Sequence, residues 1–525
     1  MADGLSRVTS AFLARPRLAA LGCGLLAATG FPPLGLWPIA LLGVAGFAAI
    51  TCAARDWKHA ARLGWLFGVA HFTLANNWIA TAFSYQGEMP AWLGWLAVPI
   101  LSLYLAVYPA LAAGLARAIA GRHRLALALA LGGAWAISEW LRSWVFTGYA
   151  WDPLGLLFLG PLDRPGLAAL LPWAGTYALS GLAALIGGGI ALLLAARAWW
   201  RASAVFALVA VGMYLPAAPV AESGRQIALV QPGFRQEQID DPTQYELQFQ
   251  TLAAMTVPRR DAGERLVLWP ESGLPDYLRP GYPRRYYLAT TAGGDPAFAR
   301  KRIAETIGNG SLLLTGAVDL EIEDGRAVGA YNAITALDDR GEFVGSYAKA
   351  HLVPYGEYLA LRWLLEPLGA TRLVAGTIDF IPGPGPRSVD LGRYGKAGMQ
   401  VCYEIIFAGQ VVDRTDRPDF IFNPSNEAWF GSFASPQFLG QSRMRAIEEG
   451  LPVLRATVNG ISAVIDPHGI VRHHLPTSFT AGRIDARIPE ALDPTLFARF
   501  GNALSLVWAA LFLAISLLVR RRWGG

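Results

Sequence analysis

Charge is scarce in this chain: 16% of its 525 residues are Asp, Glu, Lys or Arg, against 54% hydrophobic. A water-soluble protein of that length carries more charge, so an ordinary soluble enzyme is excluded and the membrane class is indicated. Cysteine is scarcer still, at three. Cys23 and Cys52 lie in apolar blocks near the amino terminus and Cys402 lies in a distant polar region. That separation excludes a disulfide framework and leaves Cys402 alone, either as an inert core thiol or as a reactive one. Also missing are a G-x-S-x-G elbow, an H-E-x-x-H zinc pair, a Walker A loop and a dinucleotide fingerprint. Serine hydrolase, zinc protease and nucleotide-driven chemistries therefore have no footing, and neither a cofactor nor a metal is implied. The net charge of +5 comes from arginine clusters beside the apolar blocks and gives no reason to expect a nucleic-acid partner.

What is present divides in two. From about 17 to 220 one apolar block follows another; from 222 to 499 charges are frequent. Seven blocks are candidate spans, since crossing a hydrocarbon core of roughly 30 Å takes about 20 helical residues. They centre near Cys23, Val44, Ala70, Leu101, Ala134, Leu185 and Val211, and an eighth runs from Asn502 to Val519. Basic residues mark every second junction: Arg7, Arg15 and Arg17; Arg55, Lys58 and Arg62; Arg117, Arg122 and Arg124; Arg197 and Arg201; Arg520, Arg521 and Arg522. The junctions between them have almost none. Because Lys and Arg in short loops stay on the cytoplasmic side, both termini are expected there and the polar body outside. The first span, with no A-x-A cleavage site, is expected to stay as an anchor. Expected domains are 1–220 with seven helices, 221–490 as the polar body, and 491–525 as a last helix with a basic tail. Glu139 and Arg142, costly in lipid, are expected to pair or to face the interface.

In the polar body, eight short runs rich in β-branched and aromatic residues read as strands: IALVQ, RLVLWPES, SLLLTGAV, NAITALDD, GMQVCYE, DFIFNPSN, PVLRATVN and ISAVIDPHG. Helical patterns fall at 243–257, 295–308 and 437–450. The mixture argues for an α/β sandwich with helices covering sheets. Functional candidates sit where strands end: Glu271 after LVLWP, Cys402 in VCYEIIF, and Lys349 in the irregular stretch YAKAHLVPYGEY. Taken singly each has a bland account, a surface acid, a core thiol or a solvated lysine. An acid at the end of an apolar strand needs a partner, however, and a lysine and a thiol would both suit. His351 is the conventional partner for a cysteine nucleophile, yet its spacing does not distinguish it from His468, His473 or His474.

Together and in this order, WPES at 269–272, YAKAHLVPYGEY at 347–358 and VCYEIIF at 401–407 resemble the three signatures of the nitrilase superfamily, which carry Glu, Lys and Cys. With eight spans around them, and NEAWFG at 426–431 followed by RMRAIEEG, the chain resembles the bacterial apolipoprotein N-acyltransferase family over almost its whole length. The resemblance implies a nitrilase-like αββα sandwich on a multi-span α-helical membrane domain, on the periplasmic face of the inner membrane, with Glu271, Lys349 and Cys402 as catalytic triad. It also implies Glu357, Tyr403 and Glu404 in or beside the site, with Asn332, Asn426 and Trp429 in support. The reaction implied is the last step of lipoprotein maturation: acyl transfer from a phospholipid, through a thioester on Cys402, to the α-amino group of a diacylglyceryl-cysteine apolipoprotein. The partners expected are these two substrates and membrane lipids, with no nucleic acid, and the enzyme is expected to be a monomer. Aromatic loops around Trp363 to Leu365 and Trp429 to Phe433 are candidate lids. Two departures stand out: QEQIDDP occurs where the family tends to have a Trp after the first strand, and NEAWFG replaces NDAWFG. Two other classes remain open on the residues alone: a membrane-tethered amidase or hydrolase of nitrilase type, and a non-enzymatic membrane bundle carrying an extracytoplasmic binding domain.

Overall fold

The computed structural model describes residues 14–85, 90–258, 263–368 and 378–523. Arg7 and part of the junction after the third apolar block lie outside them. The chain divides into two units: Met1–Ala80, Trp92–Ala217 and Pro494–Gly525 form one, and Thr81–Ala91 with Ala218–Asp493 the other. The stretch from Thr81, one of the junctions with almost no Lys or Arg, thus belongs with the polar body.

The first unit is helical, with a helix at each of the eight expected centres: Pro16–Ala28, Trp37–Ala53, Trp57–Ala75, Leu93–Ala120 (broken at Ala106), Arg124–Arg142, Leu171–Ala195, Trp199–Tyr214 and Asn502–Trp523. Among the described residues, three segments are long and apolar enough to cross a membrane, Leu93–Ala120, Leu167–Ala195 and Asn502–Trp523; Pro16–Ala28, Trp37–Ala53 and Trp199–Tyr214 are apolar but shorter. Small residues let these helices approach closely. A Cβ on Gly132 would lie 2.8 Å from the Gly181 carbonyl oxygen, and one on Gly181 would lie 2.6 Å from that of Gly132. Glu139 and Arg142 are buried and 4.0 Å apart. The Trp135 indole and Leu154 N–H donate to Glu139 at 2.8 Å, and Arg142 donates to the Trp151 carbonyl at 2.7 Å, so both find polar partners within the unit.

The second unit is built on twelve strands: β1 Glu222–Gln231, β2 Leu266–Leu268, β3 Leu312–Glu323, β4 Arg326–Leu337, β5 Phe343–Ala348, β6 Ser388–Asp390, β7 Lys396–Met399, β8 Phe420–Ser425, β9 Val453–Thr457, β10 Ser462–Ile465, β11 Val471–Leu475 and β12 Gly482–Pro489. They form two six-stranded sheets, ordered β12-β1-β2-β3-β4-β5 and β11-β10-β9-β8-β7-β6. In each sheet three neighbours run parallel, β1-β2-β3 and β7-β8-β9, and antiparallel strands extend both sides.

Alternation along the parallel strands explains their unbroken apolar runs. Ala228, Val230, Val267 and Leu313 enter one cluster with Phe249, Leu252, Ala299, Ile303 and Ile307, which come from the helices Tyr245–Thr256 and Pro296–Ile307. Their neighbours Ile227, Leu229, Leu266, Leu268, Leu312 and Leu314 point to the other face and are equally buried. Asp295 caps the second of these helices by accepting from Ala297 N–H at 2.9 Å. On the other sheet, Ala434–Glu449 packs against β9 and ends at Gly450, whose φ of 66° suits a glycine. This is the expected αββα arrangement.

Candidate active site

Two strand ends of the first sheet and one position within a strand supply one wall. β2 runs out through Trp269, whose indole N–H donates to Thr256 Oγ1 at 2.8 Å, and Pro270 stops the ladder before Glu271. Beneath that turn, β3 must carry a glycine: a Cβ on Gly316 would lie 2.6 Å from the Glu271 Cα. Asn332 stands in β4, and Lys349 follows β5 with its backbone N–H on the Asn332 carbonyl at 2.8 Å. The second sheet supplies Cys402 beyond β7 and Asn426 beyond β8. Cys402 has a φ of 49°, the left-handed region, which costs a non-glycine residue about 1–2 kcal/mol and must be held by its surroundings.

These groups converge on a cavity of about 120 Å³. Lys349 is 1% exposed. Its Nζ lies 2.9 Å from Glu357 Oε2 and 3.8 Å from Glu271 Oε1. The Asn332 carboxamide bridges the two acids, donating to Glu271 Oε1 at 2.7 Å and to Glu357 Oε1 at 2.8 Å. Backbone N–H groups complete the carboxylates, Asn426 on Glu271 Oε2 and Val353 on Glu357 Oε2, both at 2.7 Å. Burial alone would favour a neutral Lys349, but Glu357 and then Glu271 outweigh it and hold the ammonium well above its ordinary range. The Cys402 thiol is pushed up to about 12, first by burial and then by the Glu271 charge, against the pull of Lys349. The resting sulfur therefore carries its proton, and the lysine, shared between two carboxylates, does not by itself make a thiolate.

Of the residues singled out by sequence, Glu271, Lys349, Cys402, Glu357, Asn332, Asn426 and Trp429 all line this cavity. Tyr403 and Glu404 stand behind Cys402 and do not line it. Tyr403 packs edge-on against Phe407, and His351 stacks on that same ring at 4.2 Å and does not line the cavity. Glu404 ties the loops together: its Oε1 accepts from the Tyr347 hydroxyl (2.7 Å) and from the N–H groups of Ala350 (2.7 Å) and His351 (3.1 Å), and Oε2 from Val401 N–H (2.8 Å). Burial pushes this carboxyl up to about 7 despite those donors. Trp363 and Leu364 are exposed.

Sequence reasoning missed two features. The first is a brace behind the nucleophile. Asn423 Nδ2 donates to the carbonyls of Gln400 (2.7 Å) and Cys402 (3.3 Å), while its oxygen accepts from Arg455, which also pairs with Glu427. The signal was a charge within the apolar strand PVLRATV, since a fully buried guanidinium needs a built partner. The second is the role of the segment after β1: its QEQIDDP stood out as a departure, but Gln236 and Asp240, which line the cavity, were not among the site candidates.

A strand-exit site of this kind, on two packed sheets, defines a nitrilase-type domain, and the carbon-nitrogen hydrolase family model matches residues 226–492. The model of the apolipoprotein N-acyltransferase N-terminal domain matches residues 23–189. Along nearly its whole length the chain is similar to proteins named apolipoprotein N-acyltransferase: 32% identical to that of Rhodopseudomonas palustris over 98% of both chains, to that of Bradyrhizobium diazoefficiens over 96% of this chain and 95% of the relative, and to that of Caulobacter vibrioides over 95% and 94%. The chain belongs to the apolipoprotein N-acyltransferase family.

Proposed function

We propose that this protein N-acylates apolipoproteins: it takes an acyl chain from a phospholipid onto Cys402 and passes it to the α-amino group of a diacylglyceryl-cysteine, with Glu271, Lys349 and Cys402 as the catalytic triad. Family membership supports the lipoprotein acyltransferase reading. One observation carries the mechanism, a cavity lined by the Cys402 thiol, the Glu271 carboxylate and the buried Lys349, whose Nζ lies 3.8 Å from that carboxylate. As sulfur attacks the ester carbonyl, its proton passes to Glu271 and a C–S bond forms. Lys349 Nζ–H donates to the carbonyl oxygen as it becomes an oxyanion, a contribution typically worth roughly 100- to 1000-fold in rate. The C–O bond then breaks, Glu271 returns its proton to the leaving oxygen, and a lysophospholipid departs. In the second half the amine attacks the thioester, Glu271 takes a proton from nitrogen and delivers it to sulfur, and an amide and a free thiol result. Glu357 holds Lys349 in place, Asn332 sets the spacing of the two acids, Asn426 fixes Glu271, Tyr403 and Glu404 support the loop of Cys402, and Trp429 closes the cavity wall.

The same reading includes eight crossings of the bacterial inner membrane, termini in the cytoplasm and the nitrilase-like body in the periplasm, in a monomer. Helices at all eight centres and arginines at alternate junctions support it, although a 13-residue helix such as Pro16–Ala28 spans only about 20 Å. The proposed domain limits are 1–220, 221–490 and 491–525. Intact mass after incubation with phospholipid tests the chemistry. Wild type should gain one fatty acyl chain, Cys402→Ala none, and an added diacylglyceryl-cysteine peptide should discharge it as an amide. Equal labelling of both proteins, or discharge to water regardless of amine, would refute the transfer and favour a tethered hydrolase.

A further inference from the structure

Four formally charged side chains line the cavity: Glu271, Glu357, Lys349 and Asp240. The first three are committed to one another. Asp240 is not: among the described residues it has no cation at ion-pair distance, and Gln236 Nε2 donates to its two oxygens at 3.1 and 3.0 Å. The orientation of that glutamine is set from its other end, where Gln236 Oε1 accepts from Asn426 Nδ2 at 3.1 Å. Asn426 in turn gives its backbone N–H to Glu271 at 2.7 Å. A continuous hydrogen-bonded chain along the cavity wall thus connects Asp240 with the carboxylate beside the thiol.

The two substrates of the proposed reaction differ in charge where they meet this wall. A phospholipid brings a phosphate, which a carboxylate repels. The acceptor brings a free α-amino group, whose ordinary pKa of about 8 makes it mostly ammonium at neutral pH. With three carboxylates and one ammonium around it, the cavity favours a cation, and only Asp240 lacks a cationic partner.

We propose that Asp240 is a specificity-determining residue for the acceptor: its carboxylate receives the α-ammonium of the lipoprotein's terminal cysteine at the cavity wall. This rests on the acyl-transfer reading above. The docked ammonium gives one proton to water, the freed amine attacks the thioester carbonyl, and its second proton goes by way of Glu271 to sulfur, so that each turnover of this half yields an amide, a thiol and one released proton.

The test separates the two halves of the reaction in the purified full-length protein. Acyl loading from phospholipid is followed by intact mass, and discharge is measured against increasing concentrations of a synthetic peptide with an S-diacylglyceryl cysteine at its amino terminus. Asp240→Asn should leave loading within about 1.5-fold and raise the peptide concentration for half-maximal discharge roughly two- to fivefold, the range expected for an ion pair to an exposed carboxylate. The plateau discharge rate should stay near that of wild type, and Asp240→Glu should recover part of the loss. Glu237→Gln, a neighbouring exposed acid that does not line the cavity, should alter neither half. An unchanged acceptor dependence in Asp240→Asn, or loading and discharge falling together, would overturn the proposal. If wild type transferred acyl chains without a detectable loaded form, the thioester reading would fail separately, and the steady-state KM for the peptide would carry the same comparison.

Discussion

Replacing Lys349 by methionine removes an ammonium from among largely buried groups. Its partners, Glu357 at 2.9 Å and Glu271 at 3.8 Å, have side chains 5% and 8% exposed, and one Asn332 amide group bridges both. Without the lysine two buried carboxylates face each other, a loss that costs about 3–5 kcal/mol when one partner of a buried ion pair is deleted. Acyl loading should fall at least roughly 100-fold from loss of the oxyanion donor. Adding Glu357→Gln removes one carboxylate and should restore most of the stability while loading stays low. The pH dependence has a definite sign. The folded pKa of Lys349 is raised above its ordinary 10.5, so its contribution is fully present below that value and lost only as pH climbs through the raised one. In Lys349→Met one carboxyl must instead be raised, so this variant should regain more stability than wild type as pH falls. Denaturant titrations in detergent, paired with intact-mass loading assays, read both effects. A double variant that regained loading would refute the donor role, and a single variant as stable as wild type would refute the charge balance.

Glu404, raised from an ordinary 4.5 to about 7, stabilises the fold fully below the lower value and loses that contribution as pH rises through the upper one. Between pH 4.5 and 8 wild type should therefore lose roughly 2–3 kcal/mol more than Glu404→Gln; equal slopes in denaturant titrations would contradict this. Arg455→Met strands the Glu427 carboxylate and should cost about 3–5 kcal/mol. Glu427→Gln added to it should restore stability, yet acyl loading should remain about tenfold low because Asn423 has lost the partner that orients it on the Cys402 carbonyl. Wild-type loading in that double variant would reduce the brace to a packing element.

The eight segments legible as strands are β1 to β4 and β7 to β10, which are the eight interior strands of the two sheets. The four that were not read, β5, β6, β11 and β12, are the four edges. Interior strands are buried on both faces and read as apolar runs. Edges carry polar and charged residues or are very short, as with Arg483, Asp485 and Arg487 in β12 and the three residues of β6. The helix centres were legible for a related reason, since hydropathy is a local property. Helix ends were less so: the 13 residues of Pro16–Ala28 fall short of the span that its apolar block promised.

The sequence by itself determined which residue types stand at two of the strand ends, because Glu271 and Cys402 each follow an apolar run that a buried strand satisfies, whereas Lys349 follows the edge strand β5 and was marked by its motif alone. Tertiary structure alone decided their charge states and their partners. Lys349 could have activated the thiol, but the packing of two sheets sets Glu357 and Glu271 against it and buries Cys402, so the sulfur rests protonated. The same packing sends His351 onto Phe407, brings Asn423 and Arg455 behind the nucleophile, and carries Asp240 to the cavity wall. Those outcomes depend on distances between segments far apart in the chain, and the energies of charge and hydrogen bonding turn on such distances and on burial, neither of which is written in the order of residues.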